Sequence, residues 1–179
     1  MDTPDEILAS AAASGDRAAF GALVGRHYDR IYGLAFRLTG QRAEAQDLVQ
    51  DICAALPAKL SGWRGEARFT TWLYRVTVNA AHDRRRRHAA RTKAASGWGD
   101  WEIARQDAMA EDREAQGWLA EAMARLPPDL RDTVALVLGE DLTQAEAGAI
   151  LGLSEGTIAW RMSEVKRRLR AMAAEEATQ

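Results

Sequence analysis

The stretch Leu142-Thr143-Gln144-Ala145-Glu146-Ala147-Gly148-Ala149-Ile150-Leu151-Gly152-Leu153-Ser154-Glu155-Gly156-Thr157-Ile158, running on through Trp160 and Arg161 to Arg170, reads as a helix-turn-helix. Thr143 is placed to cap a first helix, Gly152 to end it, and Ser154 to cap a second that reaches about Leu169. Two short helices joined so tightly cross steeply, the geometry by which a second helix enters a DNA major groove. Ile158, Met162, Val165 and Leu169 recur at steps of four, three and four, so one side of that helix is apolar and the other faces DNA or solvent. Lys166, Arg167, Arg168 and Arg170 follow at its C-terminal end. There they suit phosphates, but they equally complement the helix dipole or form a solvated end.

Outward from this motif, the whole chain has a helical composition. It has 179 residues, 47% hydrophobic and 28% charged, enough for one medium core or two small ones. Pro is scarce and no stretch alternates with period two, so the expected class is all-α. No apolar run approaches the roughly 20 residues needed to cross a bilayer, and the acidic start Met1-Asp2-Thr3-Pro4-Asp5-Glu6 lacks a signal peptide's basic region. A cytoplasmic protein without membrane insertion is expected. The single Cys53 lies in an apolar frame with Leu48, Val49, Ile52 and Leu56, which predicts a packed thiol rather than a redox switch. His27, His82 and His88 lack paired ligand spacing, and no nucleophile, base and orienting group recur together; no metal, cofactor or catalytic residue is expected.

The formal net charge of -2 hides a segregation. Residues 59–93 carry 10 basic and 2 acidic groups (+8), while 94–141 carry 4 and 11 (-7). Local fields, not the whole-chain balance, therefore decide what approaches. The pattern predicts two small helical domains on a flexible linker: an N-terminal extension 1–17, a block 18–91, a linker 92–115, a block 116–173 and a tail 174–179. Trp98 and Trp101 fall in the linker. Leu126-Pro127-Pro128 marks a break, with Pro128 placed to open a helix. Blocks this small are expected to lean on each other or on a partner. A mobile linker predicts more than one interdomain arrangement in the free chain.

In the first block, Phe20, Leu23, Val24, Tyr28, Ile31, Tyr32, Phe36 and Leu38 mark an amphipathic helix before Thr39-Gly40. A second begins near Ala43, with Glu44, Asp47, Gln50 and Asp51 opposite Leu48, Val49 and Ile52, and Pro57 is expected to kink or end it. Its acidic face is either solvated or docks a basic surface. Trp63 to Phe69 reads as a loop, and Thr70 to Asn79 leads into Arg84-Arg85-Arg86-Arg87. Aromatics interleaved with cations suit single-stranded nucleic acid, because bases stack while phosphates pair. Trp63, Arg64, Arg68, Asn79, Arg84, Arg85, Arg86 and Arg87 are the candidate contacts; Trp72, Leu73 and Val76 are assigned to the core.

Two halves of the chain resemble one family. Asp47-Leu48-Val49-Gln50-Asp51, then Arg64-Gly65-Glu66-Ala67-Arg68-Phe69-Thr70-Thr71-Trp72-Leu73-Tyr74-Arg75-Val76, Asn79 and the arginine run are similar to region 2 of the sigma-70 family. Leu126-Pro127-Pro128, Arg131, Glu140, Leu142-Thr143, Glu146, Ile150-Leu151-Gly152 and Gly156-Thr157-Ile158 are similar to region 4. The presence of these two regions alone resembles the extracytoplasmic-function, or group IV, sigma factors, over roughly residues 18–172. The resemblance implies a dissociable subunit that directs bacterial core RNA polymerase to promoter DNA. Asp47, Gln50 and Asp51 would then bind the polymerase clamp helices. Residues Trp63 to Phe69, Asn79 and the arginines would hold the melted strand of the -10 element. The helix from Glu155, with Ser154, Thr157, Trp160, Arg161, Ser163, Lys166 and Arg167, would read the -35 element. The resemblance also implies an anti-sigma partner, and a monomer when free or a 1:1 complex when held.

The second helix departs from the family's pattern. Ala159 stands where a basic residue is common, Trp160 replaces a small polar residue, and Glu164 stands where another Arg is usual. Fewer long donors and cations mean less base-edge readout and fewer neutralised phosphates. Trp160 instead suits anchoring in a partner's pocket. Two alternatives follow: a sigma-like mimic that binds an anti-sigma protein without directing transcription, and a helix-turn-helix repressor. The eight-charge excess argues against the first, and the unexplained N-terminal block against the second.

Overall fold

The computed structural model describes residues 3–95 and 122–176, and every regular element among them is a helix. Helix α1 (Asp5–Ala13) precedes α2 (Arg17–Thr39), α3 (Arg42–Leu60) and α4 (Phe69–Ala95). After helical residues 122–125 come α5 (Pro128–Val137), α6 (Gln144–Leu151) and α7 (Glu155–Glu176). Residues 96–121 and 177–179 lie outside the described residues. They contain most of the predicted linker, with Trp98 and Trp101, the start of the second block and the end of the tail.

Local chemistry accounts for most helix ends. The Asp16 carboxylate accepts hydrogen bonds from the amides of Ala18 (2.8 Å) and Ala19 (3.0 Å), satisfying donors that the first turn of α2 cannot use. Gly40 ends α2 at φ 75°, a left-handed conformation that glycine adopts without steric cost. Pro128 occupies the first position of α5, as its fixed φ predicts. Of the two expectations for Pro57, an end is corrected: α3 runs through it to Leu60. Pro57 lies in the last turn and lacks the N–H that would bond the carbonyl four residues back, a single lost bond, and Leu60 is fully buried beyond it. Burial of such a side chain contributes about 2 kcal/mol and holds the turn in place.

The first core is built by α2, α3 and α4. Leu23, Ile31, Leu34 and Leu38 meet Leu48, Ile52, Leu56 and Leu60, with Phe69 and Leu73 closing the group; all are at most 1% exposed. Helix α1, absent from the sequence reading, packs against all three. Its Ala9 is fully buried and its Asp5 carboxylate binds Arg26 and, at 2.8 Å, His27 Nε2. The same apolar cluster continues into the second half, where it takes in Leu130 and Leu136 of α5, Ala147 and Ile150 of α6, and Ile158, Met162 and Val165 of α7.

The two halves are docked, α2 against α5 and α4 against α6. The seam is ionic at two points. Asp132, 2% exposed, accepts two hydrogen bonds from Arg85 (3.0 and 2.8 Å) and lies 2.8 Å from His82 Nε2. Glu140 binds Arg37, with Arg30 Nε 3.7 Å away. Between these points Arg75 Nη2 donates to the Ala149 carbonyl at 3.1 Å. Burial by itself pushes the Asp132 carboxyl up. The hydrogen bonds and charges of His82 and Arg85 overcome that and hold it below its ordinary value. Tyr74 is displaced the other way: burial, then its hydrogen bond to Glu140, raises its phenol above the ordinary range.

Candidate nucleic-acid and partner-docking surfaces

Residues 61–68 leave α3 and return as α4, with Gly65 taking φ 70° at the bend. Phe69, 1% exposed, anchors the return. Trp63 stands edge-on to it at 6.1 Å and 87°, while Trp72 packs at 5.7 Å on a 34° tilt. These two half-buried indoles, with Gly62, Arg64, Glu66, Ala67 and Arg75, line an open cleft of about 350 Å³. Leu73 and Val76 are buried as expected; Trp72, half-buried, packs against the core as expected and also lines the cleft. Arg64 is 83% exposed and lies 4.0 Å from Glu66, a separation at which an exposed pair holds neither side chain. Arg68 and Asn79 are also exposed. Flat aromatic walls beside mobile guanidinium groups can take a planar, anion-bearing ligand: the rings supply stacking and the cations charge.

The arginine run does not act as a unit. A helix turns about 100° per residue, so four consecutive side chains point four ways. Arg84 reaches back to α3 and binds three carboxylates, Glu44 through Nε (2.7 Å), Asp47 through Nη2 (2.9 Å) and Asp51 through Nη1 (3.1 Å). Partial burial works against the guanidinium's charge. The hydrogen bonds and charges of Glu44 and Asp47 more than offset it and raise the pKa above its ordinary value. Arg85 crosses the seam to Asp132, Arg86 binds Asp83 one turn back, and Arg87 is exposed. Asp47, Gln50 and Asp51 lie exposed on α3, on the side opposite the buried Leu48, Val49 and Ile52.

In the helix-turn-helix, Thr143 and Glu146 form a reciprocal capping box. Gly152 turns the chain at φ 69°. A Cβ on Gly148 would sit 2.7 Å from the Leu153 carbonyl, so only glycine lets the turn fold this closely over α6. Ser154 caps α7 by accepting from the Thr157 amide at 3.2 Å, and the two hydroxyls lie 2.8 Å apart. Both side chains are thus engaged in holding the helix start. Arg161 turns inward, 18% exposed, to the Asp129 carbonyl (3.2 Å) and carboxylate (3.5 Å). The free face of α7 carries Glu155, Trp160, Ser163, Lys166, Arg167 and Arg170, with Trp160 63% exposed. Glu164 clips Arg167 and Arg168 at 2.6 to 2.8 Å, and their hydrogen bonds bring its carboxyl down to about 2.

Cys53 is half-buried, and burial pushes its thiol up, away from the reactive thiolate. Among the described residues no cluster of three or more His, Cys, Asp or Glu could hold a metal ion. No helix among them is long and apolar enough to cross a membrane.

Residues 23–91 match the family model for Sigma-70 region 2, and residues 122–171 match that for Sigma-70, region 4. The extracytoplasmic-function (ECF) RNA polymerase sigma factor SigM of Mycobacterium tuberculosis is 33% identical over 166 residues, covering 92% of this chain and 82% of that one. The RNA polymerase sigma factor CnrH of Cupriavidus metallidurans is 30% identical over 178 residues, 94% of this chain and 93% of that one. A solved structure of CnrH in complex with the cytosolic domain of CnrY superposes with a TM-score of 0.69 at 28% identity, covering 96% of this chain and 97% of that one. The sigma factor RpoE of Bartonella quintana, solved with the anti-sigma factor NepR, shares the fold at a TM-score of 0.70 and 19% identity, over 87% of this chain and 96% of that one.

Proposed function

This chain belongs to the sigma-70 family, in its extracytoplasmic-function group, and from that premise we propose which of its surfaces carries each step of promoter-directed initiation. The protein is a sigma factor: it binds core RNA polymerase, directs it to promoter DNA and assists strand opening. Its partners are therefore polymerase, DNA and a protein of the anti-sigma class. Polymerase docks on the acidic face of α3 through Asp47, Gln50 and Asp51, where a ridge of carboxylates meets basic side chains. The cleft walled by Trp63 and Trp72 and lined by Arg64 takes an unstacked base of the -10 element, and the exposed Arg68 and Asn79 meet the adjoining strand. Base unstacking costs a few kcal/mol per step, and stacking on an indole recovers about 1–3 kcal/mol. Helix α7 meets the -35 element through Trp160, Ser163, Lys166 and Arg167, with Glu155 at its start. Ser154 and Thr157 keep that start in shape, and Arg161 sets the angle of α7 on α5. The work is regulatory binding, and strand opening draws on binding free energy alone.

The observation that supports this division of labour is the cleft. It lies on the connection between the helix that bears the acidic face and the helix that bears the arginines, so polymerase docking and base capture fall on adjoining parts of one helical unit. The experiment is transcription by bacterial core polymerase over a promoter library, with wild type, Trp63→Ala and Lys166→Ala compared by start-site mapping and permanganate reactivity. New start sites with shared upstream motifs are expected from wild type. Trp63→Ala is expected to bind promoters yet leave them closed, and Lys166→Ala to weaken closed-complex formation. Core binding without any start site would point to the mimic, and operator binding without core binding to the repressor.

A further inference from the structure

We propose that Arg84 is a positioning residue for polymerase docking rather than a DNA contact: from α4 it holds the three carboxylates of α3 in the arrangement that polymerase meets. The inference rests on the reading that the acidic face of α3 is the polymerase-docking face, and it concerns how that face is built. Glu44, Asp47 and Asp51 follow at intervals of three and four, so they line one side of α3 over two turns. Three like charges so close repel one another and, as side chains of a surface helix, would sample several rotamers. Arg84 gives each a different nitrogen at 2.7, 2.9 and 3.1 Å and is itself only 25% exposed. Asp47 and Asp51 remain 62% and 59% exposed, so the clasp fixes them without covering them. Each has an oxygen and further lone pairs for an incoming cation. The guanidinium suits this work because its donors lie in one rigid plane, whereas a lysine ammonium could not serve three carboxylates spread over two turns. A cation committed in this way has little capacity left for a phosphate.

The clasp makes two opposed contributions to association, and this makes it testable. Arg84 cancels one of three negative charges, which weakens long-range attraction to a basic partner. It also fixes three side chains in advance, which lowers the entropy lost when polymerase binds. The first effect acts on the association rate and is screened by salt; the second acts on the lifetime of the complex.

The test is kinetic binding of the full-length chain to bacterial core RNA polymerase without DNA, at low and high salt, for wild type, Arg84→Ala, Arg84→Gln and Arg84→Lys. The expected result is an about tenfold faster dissociation for Arg84→Ala and Arg84→Gln, with association at low salt unchanged or up to about threefold faster. Arg84→Lys should recover part of the lifetime. In the background of Glu44→Gln with Asp47→Asn, removal of Arg84 should cost much less, because it acts through those carboxylates. Matched circular dichroism and melting curves separate a misfolded variant from a weakened one, and Arg84→Gln keeps the question open to measurement if Arg84→Ala melts early. Unchanged or slower dissociation in a folded variant would overturn the proposal. So would a defect that appears only with promoter DNA present, which would make Arg84 a strand contact. Failure of the wild type to bind core would instead remove the polymerase assignment of α3, a result distinct from a wild type that binds and an Arg84 variant that binds equally well.

Discussion

Helices α4 and α7 are both rich in arginine, and their cations are restrained in different ways. On α4, Arg84 and Arg85 reach partners 33 to 47 residues away in sequence, on α3 and α5. On α7, Arg167 and Arg168 are clipped to Glu164 one turn back. The long-range pairs exist only when the whole chain is folded, so they join elements and report on docking. The local pairs form in any helix and are weak in water. Similar sequence chemistry thus serves as structural ties in one helix and as a reserve of releasable charge in the other.

The largest test of that contrast is removal of Asp132. Asp132→Ala removes the buried acceptor that ties Arg85 and His82 across the seam; both are about a third exposed and can turn to water, so a loss of about 2 kcal/mol is expected in chemical denaturation. Spin labels at the exposed Ala54 and Ala173 should give one narrow distance in the wild type that broadens in this variant. A broad distribution in the wild type would bear out the several interdomain arrangements expected of two domains on a flexible linker.

Acid should act at the same place with a smaller effect. The Asp132 carboxyl is held below its ordinary value of 3.8 in the folded chain, so the stabilisation it gives is complete above that value and lost as pH falls through the folded one. Denaturation midpoints measured down the acid range should therefore fall in the wild type. In Asp132→Asn that part of the slope should vanish, and a slope identical in the two would show that the seam is not titrating.

A local tie should matter less. Ser154→Ala removes the cap of α7 and is expected to cost about 1 kcal/mol, with the fraying confined to residues 155–158 in hydrogen exchange. Glu164→Gln should leave the melting temperature unmoved and release two guanidinium groups, tightening duplex DNA binding by about threefold at low salt. A clear drop in melting temperature would mean that Glu164 supports the fold and that the contrast between the helices is overstated.

The helix-turn-helix was readable in the sequence almost to the residue, because its signals are local. Thr143, Gly152 and Ser154 act within four positions of themselves, and the 158, 162, 165, 169 stripe is a helix periodicity. Helix α7 nonetheless runs to Glu176, past the expected Leu169, since nothing in Arg170 to Glu176 breaks it. Helix α1 was missed for the opposite reason. It is short and buries little beyond Ala9, and its long-range pairing of Asp5 with His27 and Arg26 has no local signature.

The candidate sites divide along the same line. Exposed loop and helix positions such as Arg64, Asn79, Trp160 and Lys166 lie at the surface where their polarity and register put them. The arginine run, read as one basic patch, separates into four roles, because one residue of helix rotation sends neighbours to different elements. No spacing rule announces that Arg84 meets Glu44, that Arg85 meets Asp132, or that Trp72 forms a cleft wall with Trp63.

The helical class, the motif at 142–170 with its caps at Thr143 and Ser154, and the family are legible in the residues alone, since helix propensity, capping and periodicity act over one to two turns. Which charges are paired across elements and which stay open follows from the packing of the helices. A side chain's partner depends on which elements face each other, and that is settled by burying the apolar stripes of α2 to α7 against one another, far from the charges it then brings together.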